Sequence, residues 1–321
     1  PGYDNNRLAN QMDAAYYSQL LKDRSLPLYN RATQQLTAPG STLKPVTVIA
    51  GLQEGVITPD SSVLCDGVFD KVEQLRCWKH SGHGTVANAP TALQFSCNDY
   101  MCEIAYRMGE GNRADYVDNK ALSSLQKYAA MFYLDKKSGI ELTESEPHVT
   151  DKYGIPSAIG QGTHNYATVQ LARYVSAVAS RGDVFSLSLI KGIAGADGRC
   201  TENKAVQMGR VELPASVWDT VHTGMQQFAQ NNSILKNMEL SVAGKTGTAQ
   251  EAKNRPDHAL FVGYAPSDHP QIAVAVRIAN GYGSSNATAV GRSIFNYYFD
   301  LESQEAILTG KAAQADNART D

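Results

Sequence analysis

Three short segments of this chain carry hydroxyl, amine and amide side chains that complement one another chemically. They are Ser41-Thr-Leu-Lys44, Ser96-Cys-Asn98 and Lys245-Thr-Gly-Thr248, in this order. A serine hydroxyl is a weak nucleophile and needs a base beside it. Residues three positions apart share one face of a helix, so a helix that begins at the serine places the first lysine next to the hydroxyl. The segments together predict nucleophilic serine catalysis.

The remaining side chains of these segments have complementary roles in that mechanism. Lys44 acts as a base only when it is neutral, which requires burial and a nearby positive charge. Lys245 can supply this charge from a facing strand. Ser96 can relay a proton, and Asn98 can hydrogen-bond a substrate amide. We therefore predict five catalytic residues, namely Ser41 and these four.

The lysine-containing strand segment also offers groups that bind substrate. Thr246 and Thr248 present hydroxyls to a substrate carboxylate, and Gly247 leaves room for a substrate beside the strand. The backbone N–H groups of Ser41 and Thr248 are the expected oxyanion hole, in which one donor contributes about 3 kcal/mol. Ser41 also lies at the start of a predicted helix, whose dipole favours an alkoxide.

Ser41 alone also fits a purely structural role. After Pro39-Gly40 it could serve as the N-cap of the following helix. A serine and a lysine at this spacing occur by chance in many chains, and the segment Ser96-Cys-Asn98 is less specific still. The order and completeness of the three segments favour the catalytic interpretation.

Composition excludes several classes of protein. The 321 residues are 42% hydrophobic and 19% charged, with a net charge of -3, as in ordinary globular proteins. No basic run indicates nucleic acid or an anionic membrane surface. No run of about eighteen apolar residues indicates a membrane span, and no signal peptide is present. The start at Pro1, without Met, suggests an excised fragment, which we expect to be soluble by itself.

Hydrophobic periodicity predicts an α/β (α+β) fold with an antiparallel sheet flanked by helices. We expect the catalytic domain to cover residues 1–309, with a helical subdomain at roughly 55–170, the active site at their junction, and a disordered tail at 310–321. Residues 58–85 and 136–153 have the composition of loops. The predicted helices are 8–23, 42–54, 90–109 with a corner at Ser96, 113–135, 168–180, 214–230 and 287–301, and the predicted strands are 239–248, 258–265 and 271–279.

Four of the five cysteines lie between residues 65 and 102, which suggests a metal site. Cys65, Cys77, His83 and Cys97 offer three thiolates and an imidazole, a set that suits tetrahedral zinc. Such a site would be structural, because four protein ligands leave no open position for water. It would tie the loop at 58–85 to the segment that contains Ser96.

Other interpretations of the cysteines remain open at this stage. The thiols could be unconnected and buried, or Cys65 and Cys77 could form a disulfide in an extracellular setting. Asp66 or His80 could replace one of the four ligands. Cys102 is poorly placed to join Cys97 on one helix face, and we expect it in the core.

Longer runs of the sequence resemble one protein family. Thr37–Pro45 resembles the nucleophile segment of class B penicillin-binding protein transpeptidase domains, and the similarity extends over nearly the whole chain. Further runs that match this family are Asn30–Ala32, Ile159–Gly162 and His258–Pro266. The run Cys77–Gly84 is similar to the elongation-type subgroup, often called penicillin-binding protein 2.

This resemblance implies a penicillin-binding/β-lactamase-like transpeptidase fold and a D,D-transpeptidase. Ser41 would attack the D-Ala-D-Ala end of a peptidoglycan stem peptide and pass the acyl group to an amine of a second one. β-Lactams would trap Ser41 as an acyl-enzyme. The parent protein would be membrane-anchored with this domain outside the cytoplasmic membrane, and its partner would be a shape-determining membrane glycosyltransferase. Acyl transfer itself needs no cofactor, although some elongation-type members carry zinc near these cysteines.

Three alternative functions are consistent with parts of the same pattern. A serine β-lactamase needs a glutamate that activates water, but no E-x-x-L-N segment lies between Ser96 and Lys245, and Glu141-Leu-Thr-Glu144 is a poor substitute. A β-lactam sensor would have the same motifs and acylate only once. A non-catalytic, zinc-containing peptidoglycan-binding module would have no need for the complete serine and lysine set.

Overall fold

The computed structural model describes residues 2–9, 11–250 and 254–308. The predicted tail at 310–321 lies outside the described residues. Within them there are ten α-helices: α1 Ala14–Lys22, α2 Lys44–Gln53, α3 Ala89–Gln94, α4 Asn98–Met108, α5 Asp118–Met131, α6 Gly154–Ser157, α7 Thr168–Ala179, α8 Ala215–Asn231, α9 Ser284–Tyr298 and α10 Gln304–Ile307. None of these helices is both long enough and apolar enough to cross a membrane.

The central sheet is the antiparallel one that the sequence predicts. It contains β9 Ala243–Ala249, β10 His258–Ala265 and β11 Ile272–Ile278, in the order β11-β10-β9. All eight residues of β10 are buried, because α9 packs on the sheet and α7 and α8 also contact its strands. A strand covered on both faces has a nearly continuous apolar sequence, as β10 has after His258.

Helix boundaries differ from the predictions where side chains define the ends. The helix predicted from residue 8 begins only at Ala14, because the Asp13 side chain caps it by accepting the N–H of Tyr16. The helix predicted at 42–54 divides into a 3-10 turn, Gly40–Leu43, followed by α2. Ser41, the predicted nucleophile, thus lies in a tighter turn that leads into α2.

The segment 58–85, one of the two expected to be loops, contributes to short two-stranded ribbons. In the 58–85 region, Val63–Cys65 (β1) pairs with Gly84–Val86 (β4), and Val68–Phe69 (β2) pairs with Leu75–Arg76 (β3). These ribbons pack against α4. Sequence patterning indicated no strands between α7 and α8, where β5 Asp183–Phe185 pairs with β8 Gln207–Arg210, and β6 Gly192–Ala194 pairs with β7 Cys200–Glu202.

One large hydrophobic core joins the sheet to the helix-rich middle of the chain. It extends from α2 through α4, α5 and α7 to the inner face of β9 and β10. A smaller cluster under α9 covers the other face of the sheet and includes Phe261 and Phe295. The antiparallel sheet, the flanking helices and the helix-rich middle confirm the predicted α+β class.

Candidate active site

The predicted nucleophile lies in the 3-10 turn that leads into α2. Ser41 is buried within this turn, and Lys44 is the first residue of α2. Pro39 occupies the cap position of the turn and makes no side-chain capping bond. The structure therefore gives Ser41 no capping role, and the alternative interpretation of this serine is not supported.

Two buried lysines converge on the hydroxyl of Ser96. Lys44 Nζ lies 3.1 Å from Ser96 Oγ and donates to the Ser96 carbonyl and to Asn98 Oδ1, each at 2.6 Å. Lys245 Nζ donates to Ser96 Oγ at 2.8 Å and to the Thr246 carbonyl at 3.0 Å. Four of the five predicted catalytic residues thus form one hydrogen-bonded group, and Ser41 lies one helical turn from Lys44.

The segment Ser96–Asn98 forms a corner between α3 and α4. Ser96 has a φ of +53°, the left-handed conformation, which costs a residue with a Cβ atom about 1–2 kcal/mol. Its N–H donates to the Leu93 carbonyl at 3.1 Å, and Asn98 Nδ2 donates to the Arg76 carbonyl at 3.0 Å. The corner is therefore a strained conformation held by bonds from outside the corner itself.

Strand β9 carries the predicted substrate-binding residues on the edge of the sheet. Within the described residues β9 pairs only with β10. The hydroxyl oxygen of Thr248 is buried, and in the described part of the chain it has no hydrogen-bond partner. An edge strand with such a hydroxyl can accept a peptide that ends in a carboxylate.

Gly247 is constrained by the protein itself as well as by any substrate. A Cβ atom at this position would lie 2.8 Å from the Pro39 carbonyl oxygen and 3.0 Å from the Thr42 nitrogen. The glycine therefore allows β9 to approach the nucleophile turn closely. The expected room for substrate beside the strand stays a prediction.

A third segment fixes the distance between the nucleophile turn and β9. The N–H of Gly40 donates to the Gly160 carbonyl at 2.9 Å, and Gln161 Nε2 donates to the Thr248 carbonyl at 3.3 Å. Thr47 Oγ1 also donates to the Ala158 carbonyl at 2.7 Å. Sequence reasoning noted the run that contains these residues but gave Gln161 no role.

The four predicted metal ligands come together in one group. The ligand atoms of Cys65, Cys77, His83 and Cys97 all lie within 4.8 Å of one another. All five cysteines have free thiols, so the alternative disulfide between Cys65 and Cys77 is not formed. Cys102 is fully buried and lies outside the group, as expected for a core residue.

The geometry of this thiol cluster fits tetrahedral zinc. Zinc–sulfur and zinc–nitrogen bonds of about 2.3 and 2.0 Å place neighbouring ligand atoms about 3.5 Å apart at the tetrahedral angle. His83 Nδ1 lies 3.3 Å from Cys65 Sγ and 3.6 Å from Cys77 Sγ. In the described part of the chain, Asp66 and His80 are not members of the group.

Hydrogen bonds and burial set the protonation of the cluster. The hydrogen bond from the Cys97 thiol lowers the pKa of Cys77 to about 4. The Asn98 N–H also donates to Cys77 Sγ, at 3.4 Å, and acts in the same direction. Burial raises the pKa of Cys65 to about 11 and lowers the pKa of His83. The group therefore contains a thiolate and a neutral imidazole, both in the form that binds metal.

Comparison with known proteins gives the same assignment across the chain. The family model described as penicillin binding protein transpeptidase domain matches residues 1–296. The peptidoglycan D,D-transpeptidase MrdA of Haemophilus influenzae is 29% identical over 94% of this chain and 50% of its own length. The crystal structure of Pseudomonas aeruginosa PBP2 in complex with WCK 5153 is 29% identical, with a TM-score of 0.80 over 95% of this chain and 70% of that one.

A further structural match concerns the fold. The imipenem acyl-enzyme of penicillin-binding protein A from M. tuberculosis is 24% identical and covers 93% of this chain and 69% of that chain, with a TM-score of 0.79. The fold is thus that of the penicillin-binding proteins. The chain belongs to the penicillin-binding protein transpeptidase domain family, and within it to the elongation-type class B members. It spans about half the length of the curated relatives it matches.

Proposed function

We propose that this domain is a serine D,D-transpeptidase that cross-links peptidoglycan stem peptides. The observation that carries the proposal is the convergence of Lys44 and Lys245 on Ser96 Oγ, beside the turn that holds Ser41. The chemistry of this group is that of an activated serine nucleophile.

Lys44 is suited to accept the proton of Ser41. A neutral amine has two N–H groups, and the carbonyl oxygens of Ser96 and Asn98, each 2.6 Å away, accept both. The third contact of the nitrogen is Ser96 Oγ, at 3.1 Å. The charge of Lys245, which shares Ser96 Oγ with it, favours the neutral form of Lys44. Lys44 therefore acts as the general base.

The reaction then proceeds in two steps, acylation of Ser41 and transfer of the acyl group. Ser41 Oγ bonds to the carbonyl carbon of the penultimate D-Ala and loses its proton to Lys44, and the terminal D-Ala leaves with a proton relayed by Ser96. The amine of a second stem peptide attacks the acyl-enzyme, loses a proton and restores the Ser41 hydroxyl. The N–H groups of Ser41 and Thr248 bind the oxyanion, where one donor contributes about 3 kcal/mol.

The substrate would lie along the edge of β9. A peptide that pairs with an edge strand gains main-chain hydrogen bonds, and hydroxyl groups can hold its terminal carboxylate. Thr248 Oγ1, which lacks a partner in the described part of the chain, is one such group, and Thr246 supplies the other. β-Lactams, which resemble the D-Ala-D-Ala end, would acylate Ser41 in the same position.

We also propose that the thiol cluster holds a structural zinc ion. Cys65, Cys77, His83 and Cys97 would occupy all four tetrahedral positions, so the metal would have no role in acyl transfer. When bound, the metal would stabilise the 63–86 loop against the corner, because Cys97 lies inside the corner segment. The elution of one zinc per chain with the protein, and its loss after substitution of Cys97, would support this site.

The family relationship supports two further proposals about the whole protein. The parent protein would be anchored in the membrane with this domain on the extracytoplasmic side. Its partner would be a shape-determining membrane glycosyltransferase that makes the glycan strands to be cross-linked. Co-purification of the two full-length proteins from membranes would test this partnership, and their separation in detergent at any salt concentration would contradict it.

The test of the activity is intact mass spectrometry over time after addition of a penicillin. One adduct that persists for hours, and is absent from Ser41→Ala, supports a penicillin-binding transpeptidase. Rapid return to the starting mass with hydrolysed drug would mean a serine β-lactamase. Release of D-Ala from a D-Ala-D-Ala peptide, coupled to transfer to an added amine, distinguishes a transpeptidase from a β-lactam sensor, which acylates only once. The absence of any adduct would contradict the proposal.

A further inference from the structure

We propose that Trp78 is a positioning residue for Ser96, acting through the indole N–H. This inference rests on the proposed function, in which Ser96 relays a proton. Trp78 Nε1 donates to the Phe95 carbonyl at 2.9 Å, and Phe95 directly precedes Ser96. The bond therefore holds the peptide unit from which the strained serine conformation begins.

The carbonyl of Phe95 needs such a donor. Phe95 is the C-cap of α3, and carbonyl groups at the end of a helix lack an intrahelical partner. Without the indole, this carbonyl would be free to rotate with the peptide plane that joins it to Ser96. Because Ser96 has a φ of +53°, a relaxed peptide plane would favour other conformations of the corner.

The ring of Trp78 is also positioned by contacts with aromatic rings next to the corner. It packs edge-on against the His83 ring at 5.3 Å, and His83 in turn stacks on the Phe95 ring at 5.4 Å with an interplanar angle of 4°. The indole therefore holds the Phe95 residue both by its carbonyl and through a stacked ring. This arrangement fixes the orientation of the N–H donor.

Three consecutive loop residues, Arg76–Trp78, form hydrogen bonds with the corner or with the residue before it. The Arg76 carbonyl accepts from the Asn98 side chain, Cys77 Sγ accepts from the Asn98 N–H, and Trp78 donates to the Phe95 carbonyl. These bonds reach the residues on both sides of the Ser96–Cys97 pair. The tripeptide thus fixes the positions of the residues on either side of Ser96 and Cys97. Within the tripeptide, only Trp78 acts through a side-chain N–H.

The exposure of Trp78 agrees with a positioning role and differs from that of a packing residue. Its side chain is 40% exposed, whereas the other tryptophan, Trp218, is 4% exposed and packs in the core. A tryptophan retained for core volume would be buried like Trp218. The indole of Trp78 therefore combines ring contact on one side with an N–H donor to the Phe95 carbonyl.

The test removes the N–H and keeps the shape. Site-specific incorporation of benzothienylalanine, in which sulfur replaces the indole N–H, at position 78 should lower the acylation rate constant for penicillin about tenfold. The affinity of the initial non-covalent complex and the zinc content should not change. The effect should disappear in a Ser96→Ala background, because the substitution can act only through a hydroxyl that is present.

The matched control is the same isostere at position 218, where we expect no change in the acylation rate constant. Equal acylation by the native protein and the position 78 isostere would overturn the role of Trp78 and leave the proposed function intact. An effect that is fully additive with Ser96→Ala would also overturn it, since a general loss of structure would behave in this way. A native protein that penicillin does not acylate would overturn the proposed function and the role of Trp78 together.

Discussion

The two walls of the active site are held in place in different ways. The sheet wall, Lys245–Thr248, belongs to a seven-residue strand that pairs along its length with the buried strand β10. The corner wall, Ser96–Asn98, belongs to no ladder, and the ribbons next to it have strands of two or three residues. The corner wall is fixed instead by the two helices that it joins, by the loop tripeptide and by the thiol cluster.

This difference indicates where each wall is vulnerable. A strand in a sheet is fixed by many equivalent hydrogen bonds, so only a steric change at its contact with the nucleophile turn should displace it. A corner fixed by a few side-chain contacts loses its position when any one of them is removed. We expect the sheet wall to respond to added volume, the stability of the whole fold to respond to acid through a buried histidine, and the corner wall to respond to loss of a thiol that contacts it.

The largest effect should come from volume added to the sheet wall. Gly247→Ala places a Cβ atom 2.8 Å from the Pro39 carbonyl oxygen and must push β9 away from the nucleophile turn. The oxyanion hole would then widen, and we expect penicillin acylation to slow about a hundredfold. Stopped-flow acylation checks this result. Gly2→Ala is the control, because a Cβ atom there meets no atom within 4 Å, and equal rates for the two variants would contradict our account of the wall.

Acid should lower the free energy of unfolding through the buried side chain of His164. Its Nδ1 accepts from the Thr150 N–H and from Tyr166, and burial lowers its pKa to about 3. Between pH 6.5 and 3 the unfolded chain therefore binds a proton that the folded chain does not. The free energy of unfolding should fall by about 2 kcal/mol from pH 7 to 5 because of this residue.

Chemical denaturation at both pH values measures this loss. The His164→Asn variant keeps an acceptor at the Nδ1 position and should lose that share of the pH dependence. His269→Asn, at an exposed histidine, should keep it. An unchanged pH dependence in the His164 variant would rule out the buried neutral imidazole as its source.

Loss of a thiol from the proposed zinc site should act on the corner wall. Cys97→Ala removes the thiol of the residue that directly precedes α4, which hydrogen-bonds Cys77. We expect loss of zinc and an acylation rate about tenfold lower, since Asn98 and Ser96 lose their support. Metal analysis together with acylation kinetics checks both results. Cys102→Ala removes a buried thiol from the same helix and should keep the zinc, so equal zinc loss in the two variants would contradict the assignment.

The smallest effect should come from the link between the third segment and β9. Gln161→Ala removes the 3.3 Å bond to the Thr248 carbonyl and leaves the rest of the sheet wall intact. We expect acylation to slow about threefold, because one long hydrogen bond contributes little. Gln226→Ala, which removes a similar bond to Ser267 between residues outside the three motifs, should have no effect. A loss of a hundredfold at Gln161 would mean that this residue contacts substrate directly.

Elements with a strong pattern were predictable from the sequence. The apolar spacing of α7 and the continuous apolar run of β10 define these elements within a few residues. The ribbons of β5–β8 were not predictable, because strands of three or four mostly exposed residues leave no alternation to detect. The predicted strand at 239–248 begins only at Ala243, since Ser241 pairs with the turn at Ser267.

The residues that meet in the candidate site were predictable from the sequence, but the contacts that hold them in place were not. Residue types and order indicated Lys44, Ser96 and Lys245, because each supplies a different need of one mechanism. The contact of Lys44 with Asn98 and the bond from Trp78 depend on how a loop of short ribbons folds over α4. The close approach at Gly247 is likewise a property of two segments that lie far apart in sequence.

The left-handed conformation of Ser96 has a consequence for the divergence of this family. At this position glycine is the residue that the backbone itself would favour, and the hydroxyl is the reason to keep serine. A descendant that kept the fold but no longer needed acyl transfer would therefore gain stability by a change to glycine. Such a replacement, found in a distant homologue, would mark a domain that has turned from catalysis to binding.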